Sequence, residues 1–202
     1  MAAPKVLIAF YSRSGTVARL AEAVAEGARA EGAEVRLRRA REVVSPEIIA
    51  SVPGWKEGAD ALNAKYEAPT AEDAEWADAV IFGTPTRFGS VSSELKAYID
   101  SLGGLWQQGK LVGKAGSAFA ASSQPHGGNE STAISLWNPL AHLGFIIVPT
   151  GYADGVMFAG AGSPYGASVI SGHPPAGPTE AEIAVAQFQG KRVTQVAKKL
   201  TA

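Results

Sequence analysis

The sequence contains no cysteine. That absence excludes a disulfide scaffold, thiolate metal sites, an iron–sulfur cluster and a cysteine nucleophile. Histidine is scarce, and His126, His142 and His173 lie too far apart for metal-ligand spacing. An excess of either charge is missing too. With 18 Lys and Arg against 19 Asp and Glu, neither capture of a nucleic-acid backbone nor a polybasic membrane contact is the main activity. No apolar run approaches the roughly 18 residues of a membrane helix. The apolar stretch that starts at Val6 is also too short for a signal-peptide core. The expectation is a cytoplasmic protein with no integral membrane segment and no nucleic-acid partner.

What is present describes a globular chain. Its 202 residues suit one domain spanning 1–202, and 46% hydrophobic residues suffice for a core without staples. Glycine and charge are unevenly spread: 16 of the 23 glycines follow residue 100, yet no Lys or Arg occurs between Lys114 and Lys191. Such a stretch makes a poor solvated surface. It belongs in a subunit interface or along a ligand cleft, and both are expected.

Residues 5–10 (KVLIAF), 79–83 (AVIFG), 117–121 (SAFAA) and 145–148 (FIIV) are short apolar runs, as in parallel strands buried on both faces. Residues 34–38 (EVRLR) alternate strictly, which predicts a strand near the sheet's edge. Helices are predicted from about 16 to 30 with Gly32 as the stop, over 92–102, over 130–143 with Pro139 kinking or dividing it, and over 180–200. The connection 41–70 should be partly helical, and 152–178 reads as a long Gly/Pro-rich excursion. Strands alternating with helices imply an α/β, doubly wound, five-stranded parallel sheet with helices on both faces. The flavodoxin-like strand order 2-1-3-4-5 fits, and it puts ligands outside the carboxyl ends of the strands at the topological switch point. The segments after the first, third and fourth strands should therefore carry function.

The first of these reads Ser12, Arg13, Ser14, Gly15, Thr16, Val17. Hydroxyls and free N–H groups at a helix N-terminus form an anion site, and Gly15 lets the backbone bend close to an oxyanion. A simple Ser or Thr N-cap is the plainer reading. Neither G-x-G-x-x-G nor the G-K-[ST] ending of a Walker A loop is present, so a single terminal phosphate suits the segment best. The second segment presents Pro85, Thr86, Arg87 and Phe88 between Gly83 and Gly89, either as a rigid turn or as a platform for a planar ring whose charge Arg87 would hold. The third reads Ser122, Ser123, Gln124, Pro125, His126, Gly127, Gly128, where paired glycines serve either as a plain connection or as room for a flat ligand.

With these loops in view, the chain resembles the WrbA family of flavodoxin-like FMN-dependent NAD(P)H:quinone oxidoreductases. The resemblance runs almost end to end. It is carried by IFGTPTRFG (81–89), GGLW (103–106), LAHLG (140–144) and SPYGAS (163–168), a set that short electron-carrier flavodoxins lack. It implies family-type insertions near 42–70 and 150–178. It implies that Ser12 to Val17 wrap the FMN phosphate, that Thr86, Arg87 and Phe88 contact the isoalloxazine beside Pro85, and that Ser122 to Gly127 cover the ring's other edge. It further implies that His142 touches flavin, that Trp106 stacks on the quinone, and that the protein is a homotetramer. The chain departs from the family at Ser14, where many members carry an aromatic residue associated with nicotinamide binding.

The expected activity is two-electron reduction of a quinone to the hydroquinone by a hydride from NADH or NADPH, in a ping-pong sequence. No side chain is expected to be catalytic, since the flavin supplies the chemistry. The alternative is a flavodoxin-type one-electron carrier. Such carriers are strongly acidic, and a net charge of −1 fits poorly.

Overall fold

The computed structural model describes residues 2–159 and 162–202, so residues 160 and 161 of the predicted 150–178 insertion lie outside the described residues. The strands are β1 (Lys5–Phe10), β2 (Glu34–Arg39), β3 (Ala79–Pro85), β4 (Ala115–Ser122), β5 (Ile146–Ile147) and β6 (Ser168–Ile170). The helices are α1 (Thr16–Ala30), α2 (Pro46–Ser51), α3 (Trp55–Lys65), α4 (Ala71–Trp76), α5 (Ser93–Ser101), α6 (Gly103–Gln107), α7 (Asn129–Leu143) and α8 (Glu180–Leu200). All strand pairings are parallel, in the order β2-β1-β3-β4-β5, with β6 also on β4.

Alternation along the strands builds two cores. Val6, Ile8, Phe10 and Ile81 face α1 and α8, whereas Leu7, Ala9, Val80 and Phe82 face α5 and α7. On the first face α1 and α8 cross with glycine at the contact. A Cβ on Gly27 would lie 1.8 Å from the Gln187 carbonyl oxygen, and one on Gly190 would lie 1.9 Å from that of Val24. β2 is the edge strand that its alternation predicts. Its Arg36 and Arg38 both reach Asp73 at 3.0 and 2.9 Å, while Asp73 also closes the capping box of α4 with Thr70.

Two expectations need correction, and a third loses one of its two alternatives. The predicted fifth strand, 145–148, shrinks to two residues beside the start of β4, and β6 takes over the same side of β4 at its carboxyl end. Gln189, fully buried, fills the gap between them. It donates to the Ser117 hydroxyl at 2.8 Å and the Ala118 carbonyl at 2.7 Å, and accepts from the Ala167 N–H at 3.0 Å. The sheet therefore has six strands, and the 152–178 excursion is not merely a loop. Lastly, Pro139 does not divide α7, which runs as one helix from Asn129 to Leu143. No helix among the described residues is long and apolar enough to cross a membrane.

Candidate functional site

At the carboxyl edge of β1, β3 and β4 lies a cleft of about 500 Å³. Its first wall is the turn into α1. Gly15 is the N-cap residue with φ 89°, a left-handed conformation natural to glycine, and no side chain caps the helix. The Ser12 hydroxyl accepts from the Gly15 N–H at 3.1 Å and closes the turn. The first turn of α1 has no acidic residue, so its free N–H groups and the hydroxyls of Ser14 and Thr16 remain for an anion. Ser12, Arg13, Ser14, Thr16 and Val17 all line the cleft.

Beneath this turn sits Arg39, wholly buried. Its Nε and Nη2 donate to the Ser12 carbonyl at 3.2 and 2.9 Å. The guanidinium pairs with Glu42 and donates to the Asn63 side-chain oxygen at 2.5 Å. Burial pushes the Glu42 carboxyl up, but the Arg39 guanidinium outweighs it and holds that carboxyl below the usual carboxylate range. Arg13, at the cleft's rim, stacks over Trp55 of α3, with the guanidinium carbon 3.7 Å from the ring centroid.

Pro85, Thr86 and Arg87 form the floor. The Thr86 N–H donates to the Ala121 carbonyl at 2.7 Å, and the Thr86 hydroxyl accepts from Thr132 at 2.8 Å and from the Gly89 N–H at 3.2 Å. Arg87 and Ser90 exchange main-chain hydrogen bonds at 2.9 and 3.1 Å across a tight turn. Both central residues of that turn have positive φ, 53° at Phe88 and 78° at Gly89. Phe88 is fully exposed at the tip and does not line the cleft. Its left-handed conformation is costly for a bulky residue.

After β4, only Ser122 and Ser123 of the third predicted segment line the cleft. The Ser122 hydroxyl and the Gly127 N–H both donate to the Gln124 carbonyl, at 2.8 and 2.9 Å, and this turn carries Gln124, Pro125 and His126 outward. Gly127 is required there, because a Cβ would lie 2.6 Å from the Ser122 side chain. The last wall is Ser171, Gly172, His173 and Pro175, after β6, and Pro53 adds an edge from the 42–70 segment. The sequence reading missed these residues and Arg39. A Gly-His-Pro-Pro run was visible, but not the strand that delivers it.

His142 and Trp106 are not brought to this cleft within one chain. They line a separate depression of about 390 Å³ with Lys96, Ile99, Asp100 and Pro139, between α5, α6 and α7.

The cleft offers hydroxyls, main-chain N–H groups and the side chains of Arg13, Arg87 and His173, with no carboxylate in its lining. An anionic, partly planar ligand at the switch point fits that set. Fold and site together define a doubly wound, flavodoxin-like α/β protein with a carboxylate-free cleft at the switch point of its sheet.

Comparison with known proteins narrows the class. Residues 6–156 match the family described as NADPH-dependent FMN reductase. A protein of Syntrophobacter fumaroxidans named NAD(P)H dehydrogenase (quinone) is 46% identical over 98% of each chain. One of the same name from Deinococcus radiodurans is 41% identical over 99% of each. Among solved structures, a flavodoxin, WrbA-like protein from Agrobacterium tumefaciens superimposes with a TM-score of 0.66 at 23% identity, covering 98% of this chain and 99% of that one. An archaeal flavodoxin does so with a TM-score of 0.62 at 15% identity over 96% of this chain and 99% of that one; these two likenesses concern the fold alone. The chain belongs to the NADPH-dependent FMN reductase family.

Proposed function

We propose that the protein is an FMN-dependent NAD(P)H:quinone oxidoreductase that reduces quinones by two electrons. The observation that carries this reading is the carboxylate-free cleft at the switch point, in a chain 46% identical to a named NAD(P)H dehydrogenase (quinone). Ser12, Ser14, Thr16 and the first-turn N–H groups of α1 would hold the phosphate of FMN. Pro85, Thr86, Arg87, Ser122 and Ser123 would bound the ring, with Arg87 holding negative charge on its polar edge. When bound, the flavin supplies hydride acceptance and donation; the protein supplies orientation and electrostatics. A single phosphate cradle and no second glycine fingerprint favour FMN over FAD.

The finer parts of the proposal concern mechanism and assembly. One slot admits one planar ligand at a time, so NAD(P)⁺ leaves before quinone enters, giving ping-pong kinetics. Trp106 and His142 can serve a flavin cleft only if another copy of the chain supplies them. The charge-poor 115–190 stretch exposes Tyr152, Phe158, Ile134 and Ile170, which suits a buried subunit interface in a homotetramer.

The test is direct. Purified protein should be yellow, bleach with NADH or NADPH under nitrogen, regain colour with a quinone, and release FMN on denaturation. A colourless protein that takes up no FMN would overturn the reading, and recovery of FAD would overturn the cofactor assignment.

A further inference from the structure

Arg39 is the largest side chain that is wholly buried, and it lies on no cleft wall. Burying a guanidinium is costly, and an apolar side chain of similar volume often stabilises a fold as well. What the guanidinium adds is direction. Two of its N–H groups converge on one acceptor, the Ser12 carbonyl, at 3.2 and 2.9 Å. In a trans peptide the carbonyl and the next N–H point opposite ways, so a Ser12 carbonyl held from beneath turns the Arg13 N–H away from the interior. A carbonyl turned the other way would repel an anion in the turn.

The guanidinium is itself locked. Glu42 pairs with it, and Asn63 accepts from both Arg39 and Arg41, at 2.5 and 2.6 Å, while Arg41 also donates to the Tyr66 carbonyl at 2.8 Å. Glu42, Asn63 and Tyr66 all come from the 42–70 segment.

We propose that Arg39 is a positioning residue for the anion-binding turn. It acts through the Ser12 carbonyl, with the 42–70 segment as its buttress, and sets the preference for phosphorylated over unphosphorylated flavin. The inference rests on the flavin reading above. Apoprotein is titrated with FMN and with riboflavin, followed by flavin fluorescence, for wild type, Arg39→Met, Arg39→Lys and the milder Asn63→Ala. FMN affinity should fall roughly tenfold or more in Arg39→Met and roughly threefold or more in the other two, with riboflavin affinity nearly unmoved. A parallel loss of both flavins would assign Arg39 a merely structural role and overturn the proposal, as would unchanged FMN affinity. If Arg39→Met does not fold, the ratio in Asn63→Ala decides. Wild-type protein that binds neither flavin would overturn the flavin reading itself, an outcome distinct from wild-type binding with an unmoved ratio.

Discussion

The two facing walls of the cleft are built on different principles. The wall after β1 is short, opens straight into a long helix, and rests on a buried ionic group: Arg39, itself held by Glu42 and Asn63, donates to the Ser12 carbonyl from below. The wall after β6 has no buried guanidinium beneath it; the buried charge there is the Glu182 carboxylate. The Ser171 N–H and hydroxyl both reach the Ser122 carbonyl, at 2.8 and 3.3 Å, and Glu182 at the start of α8 accepts from the Ile170 N–H at 3.0 Å. One wall is fixed by a buried guanidinium, the other by a three-residue strand and the carboxylate that caps α8. Perturbing the first should alter what binds, whereas perturbing the second should alter whether the wall stands.

The largest effect is expected beneath the second wall. Gln189→Leu leaves the Ala118 carbonyl and the Ala167 N–H without their buried partner. At about 1–3 kcal/mol for each unmatched group, stability should fall by about 3 kcal/mol and Tm by roughly 6–12 °C. Thermal unfolding checks it. An unmoved Tm would mean that the β5–β6 gap is bridged by something other than this amide.

A smaller, more local effect should follow Glu182→Ala. One carboxylate oxygen accepts from the Thr179 N–H and hydroxyl at 2.7 and 2.8 Å, and the other holds β6. Loss of the cap and of the Ile170 bond should cost about 2 kcal/mol. Amide hydrogen exchange would sharpen the contrast: Ile170 and Ser171 should lose protection while Arg19 and Leu20, the first bonded N–H groups of α1, keep theirs. Equal loss at both walls would dissolve the distinction.

On the first wall, Thr16→Val should leave Tm nearly unchanged and weaken FMN binding by about 1–2 kcal/mol, the cost of an unmatched phosphate oxygen. Calorimetric titration of apoprotein measures it. Acid should act on the same wall. The Glu42 carboxyl is held below the usual carboxylate range in the folded protein, and so is that of Asp73, whose burial is outweighed by Arg38 and Arg36. A lowered folded value means that the stabilisation is complete at neutral pH. It is lost as pH falls from about 4, where the unfolded carboxylates titrate, toward the lowered values. Glu42→Gln should flatten that acid limb while weakening the protein at neutral pH. An unchanged limb would remove Glu42 from the account.

The same contrast explains what could be read from the sequence. β1, β3 and β4 are buried on both faces and show as continuous apolar runs; β2 is an edge and shows as alternation. The turn 12–17 is a local motif whose residues do line the cleft, Gly15 as its bend. The second wall is not local. Ser168, Val169 and Ile170 become a strand only because β4 leaves its carboxyl end unpaired after β5 stops at Ile147. Three residues in a Gly/Pro-rich stretch carry no periodicity long enough to reveal that. Arg39 was hidden for a related reason. Period 2 puts Arg39 on the face of Val35 and Leu37, but the alternating run read as a strand stops at Arg38, and two of its partners, Ser12 and Asn63, lie 27 and 24 residues away. Gln124, Pro125 and His126 show the reverse error, where proximity to lining residues in sequence does not bring them to the cleft.

The smallest expected effect asks whether the cleft has a third wall. Trp106 is 57% exposed and belongs to a depression that shares no residue with the cleft. If a second copy of the chain lays this surface over its neighbour's cleft, Trp106 supplies an apolar face to the quinone. Stacking of that kind is worth about 0.5–1.5 kcal/mol beyond buried area. Trp106→Ala should then slow quinone reduction by prereduced protein roughly two- to tenfold, while reduction by NAD(P)H changes less. Tm should hardly move, because the side chain leaves no buried cavity. Light scattering at micromolar concentration should show an assembly larger than a dimer for both proteins. Mixing Trp106→Ala with Thr16→Val tests the geometry itself. A cleft with intact Thr16 can then receive an intact Trp106 from its neighbour, so reassembled mixtures should exceed the mean of the two parent rates. A mixture at the mean, or a monomeric wild type with full quinone activity, would leave Trp106 outside the site and the cleft with only the two walls that one chain provides.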